Sequence, residues 1–246
     1  MKHAKFSILL TFLVIQNSFS QITADNGQPR QSYIGASIGT ALPIGAYADK
    51  NIYNTGAGFA TMGLRFEGSI AKILQRYWGL ALNYKNQTNN VDEQAFATQY
   101  AQKYGGNNWN VHCSPWKINA FLIGSYNAFP IGETKLVSLE MKLLFGMVRA
   151  LTPQTELNGY WLNGLNTAPQ NLSIADAFAF SGGLGLRFEV SKTMFFILQT
   201  DYFGANPKFN LQSVFPNPLG APYSLNTSSQ NISTLSFSLC FAYRIN

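Results

Sequence analysis

From Leu235 to Ile245 every odd-numbered residue is large and apolar: Leu235, Phe237, Leu239, Phe241, Tyr243 and Ile245. The even positions are Ser236, Ser238, Cys240, Ala242 and Arg244. Only an extended strand sends alternate residues to opposite faces, so this segment has one bulky face and one small or polar face. The pattern recurs over 135–149, where Val137, Leu139, Met141, Leu143, Phe145 and Met147 oppose Ser138, Glu140, Lys142 and Gly146. It recurs again over 177–190, with Phe178, Phe180, Leu184, Leu186, Phe188 and Val190 against Ala179, Ser181, Gly183, Gly185, Arg187 and Glu189. Such a chain is built from strands.

Five further segments fit with more noise. Over 33–45, Ile34, Ala36, Ile38, Leu42 and Ile44 alternate with glycines and Ser37. Over 57–68, Met62, Leu64 and Phe66 oppose Thr61, Gly63, Arg65 and Glu67, and over 76–87, Trp78, Leu80, Leu82 and Tyr84 oppose Gly79, Ala81, Asn83 and Lys85. In 116–128 the bulky face reads Trp116, Ile118, Leu122 and Tyr126 against Lys117, Asn119, Ser125 and Asn127, with Phe121 and Ile123 breaking the polar face. In 193–203 it reads Met194, Phe196, Leu198 and Tyr202 against Gln199 and Asp201, broken by Phe195 and Ile197. The total is eight strands.

Composition decides which face is inside. Only 11% of the residues are charged, against about 25% in an ordinary soluble domain. The 46% hydrophobic share excludes disorder, and the basic residues are scattered singly, which excludes a nucleic-acid surface. A soluble sandwich needs a well-hydrated face opposite its bulky one. Here that face is mostly Gly, Ala and Ser, suited to a crowded interior, so the bulky residues face lipid. Aromatics gather near the strand ends, with Phe66, Trp78, Tyr126, Phe188 and Tyr243 at one level and Tyr84, Trp116, Phe178 and Tyr202 at the other. Two such levels match the girdles of a membrane barrel. Short turns alternate with long connections (88–115, 150–176 and 204–232), and the turn from Gly68 to Gln75 is longer than the rule prefers. The fold class is therefore all-β: an eight-stranded antiparallel up-and-down transmembrane β-barrel with long extracellular loops and a short loop helix.

Lys2 and Lys5 precede an almost wholly apolar run from Phe6 to Ile15, and Ser18 and Ser20 follow as small residues. That is a secretory leader, expected at 1–20, with the barrel domain over 21–246 and Gln21 at its start. The run is too short to cross a bilayer as a helix. Cys113 and Cys240 are too few for a disulfide scaffold and are expected as free thiols.

At this point the chain resembles the small outer-membrane β-barrel domain proteins of Gram-negative bacteria, the eight-stranded PorT-like or OmpX/OmpA-like group. The likeness covers 21–246 and rests on Gln21 after the leader, a Gly-rich first strand ending in Pro43-Ile44-Gly45, and the alternating last strand. The chain departs from many such barrels in ending on Asn246 rather than an aromatic residue. The resemblance implies residence in the cell outer membrane; an even strand number, with the short turns in the periplasm, puts both termini there. The resemblance also implies outer-membrane lipid and lipopolysaccharide as surroundings, and other outer-membrane proteins as partners through the loops.

Two residue groups stand out. Arg65, Glu67, Glu140, Lys142, Arg187, Glu189 and Arg244 all take the interior phase. Isolated charges there are costly, so they are expected to compensate one another as ion pairs filling a narrow barrel. The alternative is a proton or solute path. Arg65 and Glu67 belong to a five-residue repeat, Gly63-Leu64-Arg65-Phe66-Glu67 and Gly185-Leu186-Arg187-Phe188-Glu189, which suits either duplication or convergence.

The second group is in the loops. Residues 90–105 read as a helix capped by Asn90, with Phe96, Tyr100 and Tyr104 on one face and Gly105-Gly106 as its stop. With Trp109, Tyr160, Trp161 and Tyr223 these aromatics are candidates for partner contact, or for packing over the barrel mouth. His112-Cys113-Ser114 is the sole hydrolase cue, with His112 and Ser114 sharing the parity of Trp116 and no acidic partner nameable. No metal-ligand or cofactor motif is present, and none is expected. The functional reading is a non-enzymatic barrel working through its surface loops, in a structural or accessory-subunit role within an outer-membrane assembly. The alternatives are a small-solute or hydrophobic-compound channel and, behind it, a lipid-modifying esterase.

Overall fold

A computed structural model describes residues 32–245 apart from 76, 105–106, 133–135, 162–163 and 213–224. The expected leader and Gln21 lie outside the described residues. In chain order the elements are β1 (Ser32–Pro43), β2 (Ala60–Ile73), β3 (Trp78–Val91), helix α1 (Glu93–Tyr104), β4 (Asn107–Cys113), β5 (Trp116–Ile131), β6 (Val137–Leu151), β7 (Thr155–Trp161), β8 (Gly164–Gln170), β9 (Ile174–Glu189), β10 (Met194–Ala205), β11 (Lys208–Gln212), β12 (Leu225–Ser229) and β13 (Ile232–Ile245). Eight of these strands close a barrel in the order β1–β13–β10–β9–β6–β5–β3–β2, which returns to β1 with every pair antiparallel. Closure satisfies each strand's backbone on both sides and leaves no edge. Ser32 and Ile245 pair with each other, so both described ends stand at the short-turn end.

The register fixes the barrel's dimensions. From Asn86, stepping across strands in one direction gives Phe66, Ile38, Leu239, Leu198 and Leu186. Stepping the other way gives Asn119, Arg149 and Asp176. The two walks meet on β9 ten residues apart (186 against 176), and this is the stagger of the closed sheet. With about 3.3 Å rise per residue and about 4.8 Å between strands, the strands tilt by roughly 40° around a backbone radius of about 8 Å. Such an interior is just wide enough for its own side chains.

The inverted arrangement holds along the wall. Ile38, Met62, Leu64, Tyr84, Met147, Phe178, Leu198 and Phe241 are all half or more exposed, while Ala41, Ala81, Ala179 and Cys240 face inward and are buried. Among the described residues no helix is long and apolar enough to cross a membrane; the strands carry the apolar surface. Cys113 and Cys240 are free.

Two expectations change. The turn read from Gly68 to Gln75 shrinks, because β2 continues in alternation to Ile73, with Ser69 and Ala71 inside and Ile70 outside. Gly68 looked like a turn signal but occupies a wall position with open space around it. The larger correction is the phase of β5. Trp116, Ile118, Leu122 and Tyr126 face the lumen and are buried, while Phe121 and Ile123 are 54% exposed on the wall. Apolar residues occupy both faces of this strand, so parity alone does not choose between them. What chooses is the polar end of each ring. Trp116 Nε1 donates to the Gly58 carbonyl (3.0 Å) and the Tyr126 hydroxyl donates to Glu140 (2.6 Å), bonds that lipid does not offer. Tyr126 and Trp116 are therefore removed from the girdles.

The long connections are folded too. β4, β7 and β8 form a three-stranded antiparallel sheet, and β11 and β12 form a hairpin. Segments read as loops 88–115, 150–176 and 204–232 thus supply their outer parts to added strands and the helix, and their inner parts to β3, β6, β9, β10 and β13.

Candidate functional site

All seven interior charges predicted from parity converge in the lumen. Arg65 is fully buried and its guanidinium divides between Glu67 Oε2 (2.6 Å) and Asp201 Oδ2 (2.5 Å). Asn83 Nδ2 donates to the other oxygen of Glu67. Nearer the short turns, Arg187 Nε donates to Glu140 Oε1 (2.7 Å), and its Nη2 donates to the Tyr126 hydroxyl. The Arg187 guanidinium also lies 4.1 Å from the centroid of Phe195, the geometry of a cation–π contact. Arg187 also forms a longer ion pair with Glu189 (3.7 Å), and Glu189 accepts two closer bonds from Arg244 (2.8 and 2.9 Å). Lys142 Nζ donates to Gln199 Oε1 at 3.2 Å.

The repeated pentapeptide explains part of this. Gly63–Glu67 in β2 and Gly185–Glu189 in β9 each aim an Arg inward with a Glu two residues later on the same face. Lys85 and Asp201, which parity also puts on the small face, join these seven in the lumen. Lys85 is fully buried, with its Nζ 4.7 Å from the ring centroid of Phe203. Asp201 fits because Gly183 stands beside it. A Cβ at that glycine would come within 2.1 Å of Asp201 Oδ1. The described lumen thus holds five cations (Arg65, Lys85, Lys142, Arg187, Arg244) and four carboxylates (Glu67, Glu140, Glu189, Asp201).

Rings close this charged layer at both ends. On the short-turn side Tyr33 packs edge-on against Tyr126 and Phe195, with centroids 5.6 and 5.3 Å apart. On the loop side the segment between β1 and β2 drops Tyr47 into the mouth, where it is fully buried and meets Trp116 (5.5 Å). Phe209 of β11 packs on Trp116 from above (6.0 Å). Gln230 Nε2 holds the same segment by donating to the Gly56 carbonyl.

The outer elements build a platform with its own small core. The helix expected over 90–105 is α1, and its cap is Asp92 rather than Asn90: Asp92 Oδ1 accepts from the Ala95 amide at 3.0 Å. β3 runs on to Val91 and so takes Asn90 into the strand. A hydrogen bond from Lys50, joined by the one from Ala95, holds the Asp92 carboxyl below the usual carboxylate range and ties α1 to the segment between β1 and β2. Phe59 packs on Phe96, Phe96 on Tyr100 and Tyr100 on Trp109, with centroids 4.9, 6.2 and 4.8 Å apart. Val111 and Leu157 complete the cluster. Phe96, Tyr100 and Trp109 therefore serve as packing aromatics. Tyr104, Tyr160 and Trp161 belong to α1 and β7 by backbone, and Tyr223 lies outside the described residues.

The hydrolase cue resolves differently from its parity. Trp116 faces the lumen, and His112 sits in β4, strongly exposed, with Nδ1 3.3 Å from Glu93. Glu93 also accepts from the Cys113 amide at 2.6 Å, and Ser114 Oγ accepts from the Gln154 amide at 2.8 Å. Glu93 is thus the acidic neighbour that sequence did not name, brought in by α1. Among the described residues no group of three His, Cys, Asp or Glu side chains is placed to hold a metal.

No family model matches the sequence, and no curated protein matches it. Solved structures do. The chain is similar to OprG, an outer membrane protein from Pseudomonas aeruginosa (12% identity, 88% of this chain and 96% of that chain covered, TM-score 0.48). It is similar to Ail, the attachment invasion locus protein of Yersinia pestis (11% identity, 88% and 97% covered, TM-score 0.40). It is also similar to neisserial surface protein A (9% identity, 87% and 97% covered, TM-score 0.43). The barrel itself rests on the strand pairing above.

Proposed function

We propose that this protein is a sealed barrel of the bacterial outer membrane whose work is done by its outer platform, as a structural or accessory subunit that binds other outer-membrane proteins and performs no chemistry of its own. The observation that carries this reading is the lumen: it is filled by charged side chains, with Arg65, Arg187 and Arg244 in ion pairs and rings above and below. A conduit needs an open path, and an interior of this radius filled by arginine and lysine side chains leaves little. The effort of the chain lies instead at the loop end, where three connections fold into a sheet, a hairpin and a helix. Placing that end outside puts the termini in the periplasm, as short turns and long loops do in barrels of this kind.

The test is fractionation of native cells. The mature chain should begin at Gln21, travel with the outer membrane and migrate faster on gels before boiling than after. Protease added to intact cells should cut within 88–115 or 150–176. A soluble periplasmic protein would defeat the membrane reading, and loops protected until the outer membrane is broken would reverse the orientation.

A further inference from the structure

On the outside of the wall the charges are unevenly placed. Alternation sends outward only Lys72, Lys117, Arg149 and Asp176 among the charged residues of the described barrel strands. Lys72 stands at the short-turn end, while the other three share the loop end of neighbouring strands β5, β6 and β9. Arg149 and Asp176 face each other in register and make two bonds, 2.8 and 2.9 Å. Lys117 pairs with none of the described carboxylates. Beside it, Asn119 Oδ1 accepts from Asn86 Nδ2 (2.7 Å) and lies 3.4 Å from the Tyr84 hydroxyl. The Asn119 amide nitrogen and the Lys117 ammonium remain to donate outward.

Height matters as much as grouping. On β6 the outward residues from Val137 to Met147 are uniformly apolar. At the tilt derived above this run rises about 25 Å, the height of the apolar band of such barrels. Arg149 therefore sits at the band's outer edge. The polar row Asn86–Asn119–Arg149–Asp176 climbs along the stagger, and with that stagger spread evenly Asn86 stands level with Phe180 on β9. This is four residues, about 10 Å, below Asp176. The patch thus reaches from the headgroup level down into the band, where bare acyl chains offer an amide nothing to bond.

We infer that this patch seats the phosphorylated sugar headgroup of an outer-leaflet glycolipid, its phosphate on Lys117 and its hydroxyls against Asn119 and Asn86. The inference rests on the proposed orientation, which puts the patch in the outer leaflet. A phosphate is an acceptor, and the free groups here are donors; a sugar supplies the further oxygens that let the contact extend below the phosphate plane.

The experiment is native mass spectrometry of the protein purified from its membrane in mild detergent. It is titrated separately with diphosphorylated lipid A, with phosphatidylglycerol and with inorganic phosphate. The variants are Lys117→Ala with Asn119→Leu, which suits the wall and leaves the lumen untouched, and Lys72→Ala as the remote control. One molecule of lipid A should bind the wild type, with affinity falling about tenfold in the double variant and unchanged in Lys72→Ala. Equal binding by wild type and double variant, an equal loss in Lys72→Ala, or phosphatidylglycerol or inorganic phosphate binding as tightly as lipid A would each overturn the inference. Orientation is read apart from this, by the protease experiment on intact cells, so the two can fail separately.

Discussion

Arg65→Ala should be among the most destabilising single substitutions in this barrel. It removes a fully buried guanidinium and leaves Glu67 and Asp201 without the one cation that bonds them both. Breaking a buried ion pair by deleting one partner costs about 3–5 kcal/mol, and here two carboxylates are stranded. Arg187→Ala should cost less, because Arg187 has one close carboxylate, Glu140, whose second neighbour Tyr126 remains as a donor. The measurement is urea unfolding of the detergent-folded protein, followed by the gel shift between compact and heated forms. The triple variant Arg65→Met, Glu67→Gln, Asp201→Asn should recover part of the loss, since the two carboxylates that Arg65 bonds are then neutral, while buried Lys85 loses the negative charge near it. An Arg65→Ala barrel as stable as the wild type would mean that the layer is hydrated, not sealed.

Removing β7 and β8 should abolish partner binding while sparing the barrel. Replacing residues 153–172 by a tight Asn-Gly turn joins β6 to β9 as a short hairpin, the commonest connection for antiparallel neighbours. It deletes two of the three strands of the outer sheet and Leu157 from the cluster around Tyr100, so the platform loses its core. Barrel closure does not depend on these residues, whose sheet is separate. Proteins that co-purify with the wild type from native membranes should fall about tenfold or more, with heat-modifiable migration kept. The same partners at the same yield would move the work to the wall or to the short-turn end.

How much of this was legible in the sequence depends on how one-sided each strand is. β13, β9 and β6 carry a clean contrast between bulky and small residues, and their faces read directly. β10 read correctly in spite of Phe195 and Ile197, because Gln199 and Asp201 marked its inner face. β5 carries Trp116, Ile118 and Leu122 on one side and Phe121 and Ile123 on the other, and its orientation is set by neighbours: the Gly58 carbonyl and Glu140 claim its polar ring atoms. That is tertiary information. The interior charges followed from parity, but their partners did not, since the stagger brings Arg65 to Asp201, 136 positions away. The platform was hidden for another reason. Its strands are short and mixed in composition, and they pair across different connections, so no local period announces them.

The most direct test of the sealed barrel is electrical. Purified full-length protein, folded and inserted into planar bilayers, should leave the membrane insulating, with no sustained steps above the lipid baseline at either polarity. Steady, reproducible single-channel currents from the wild type would contradict the account and return the lumen to the role of a conduit.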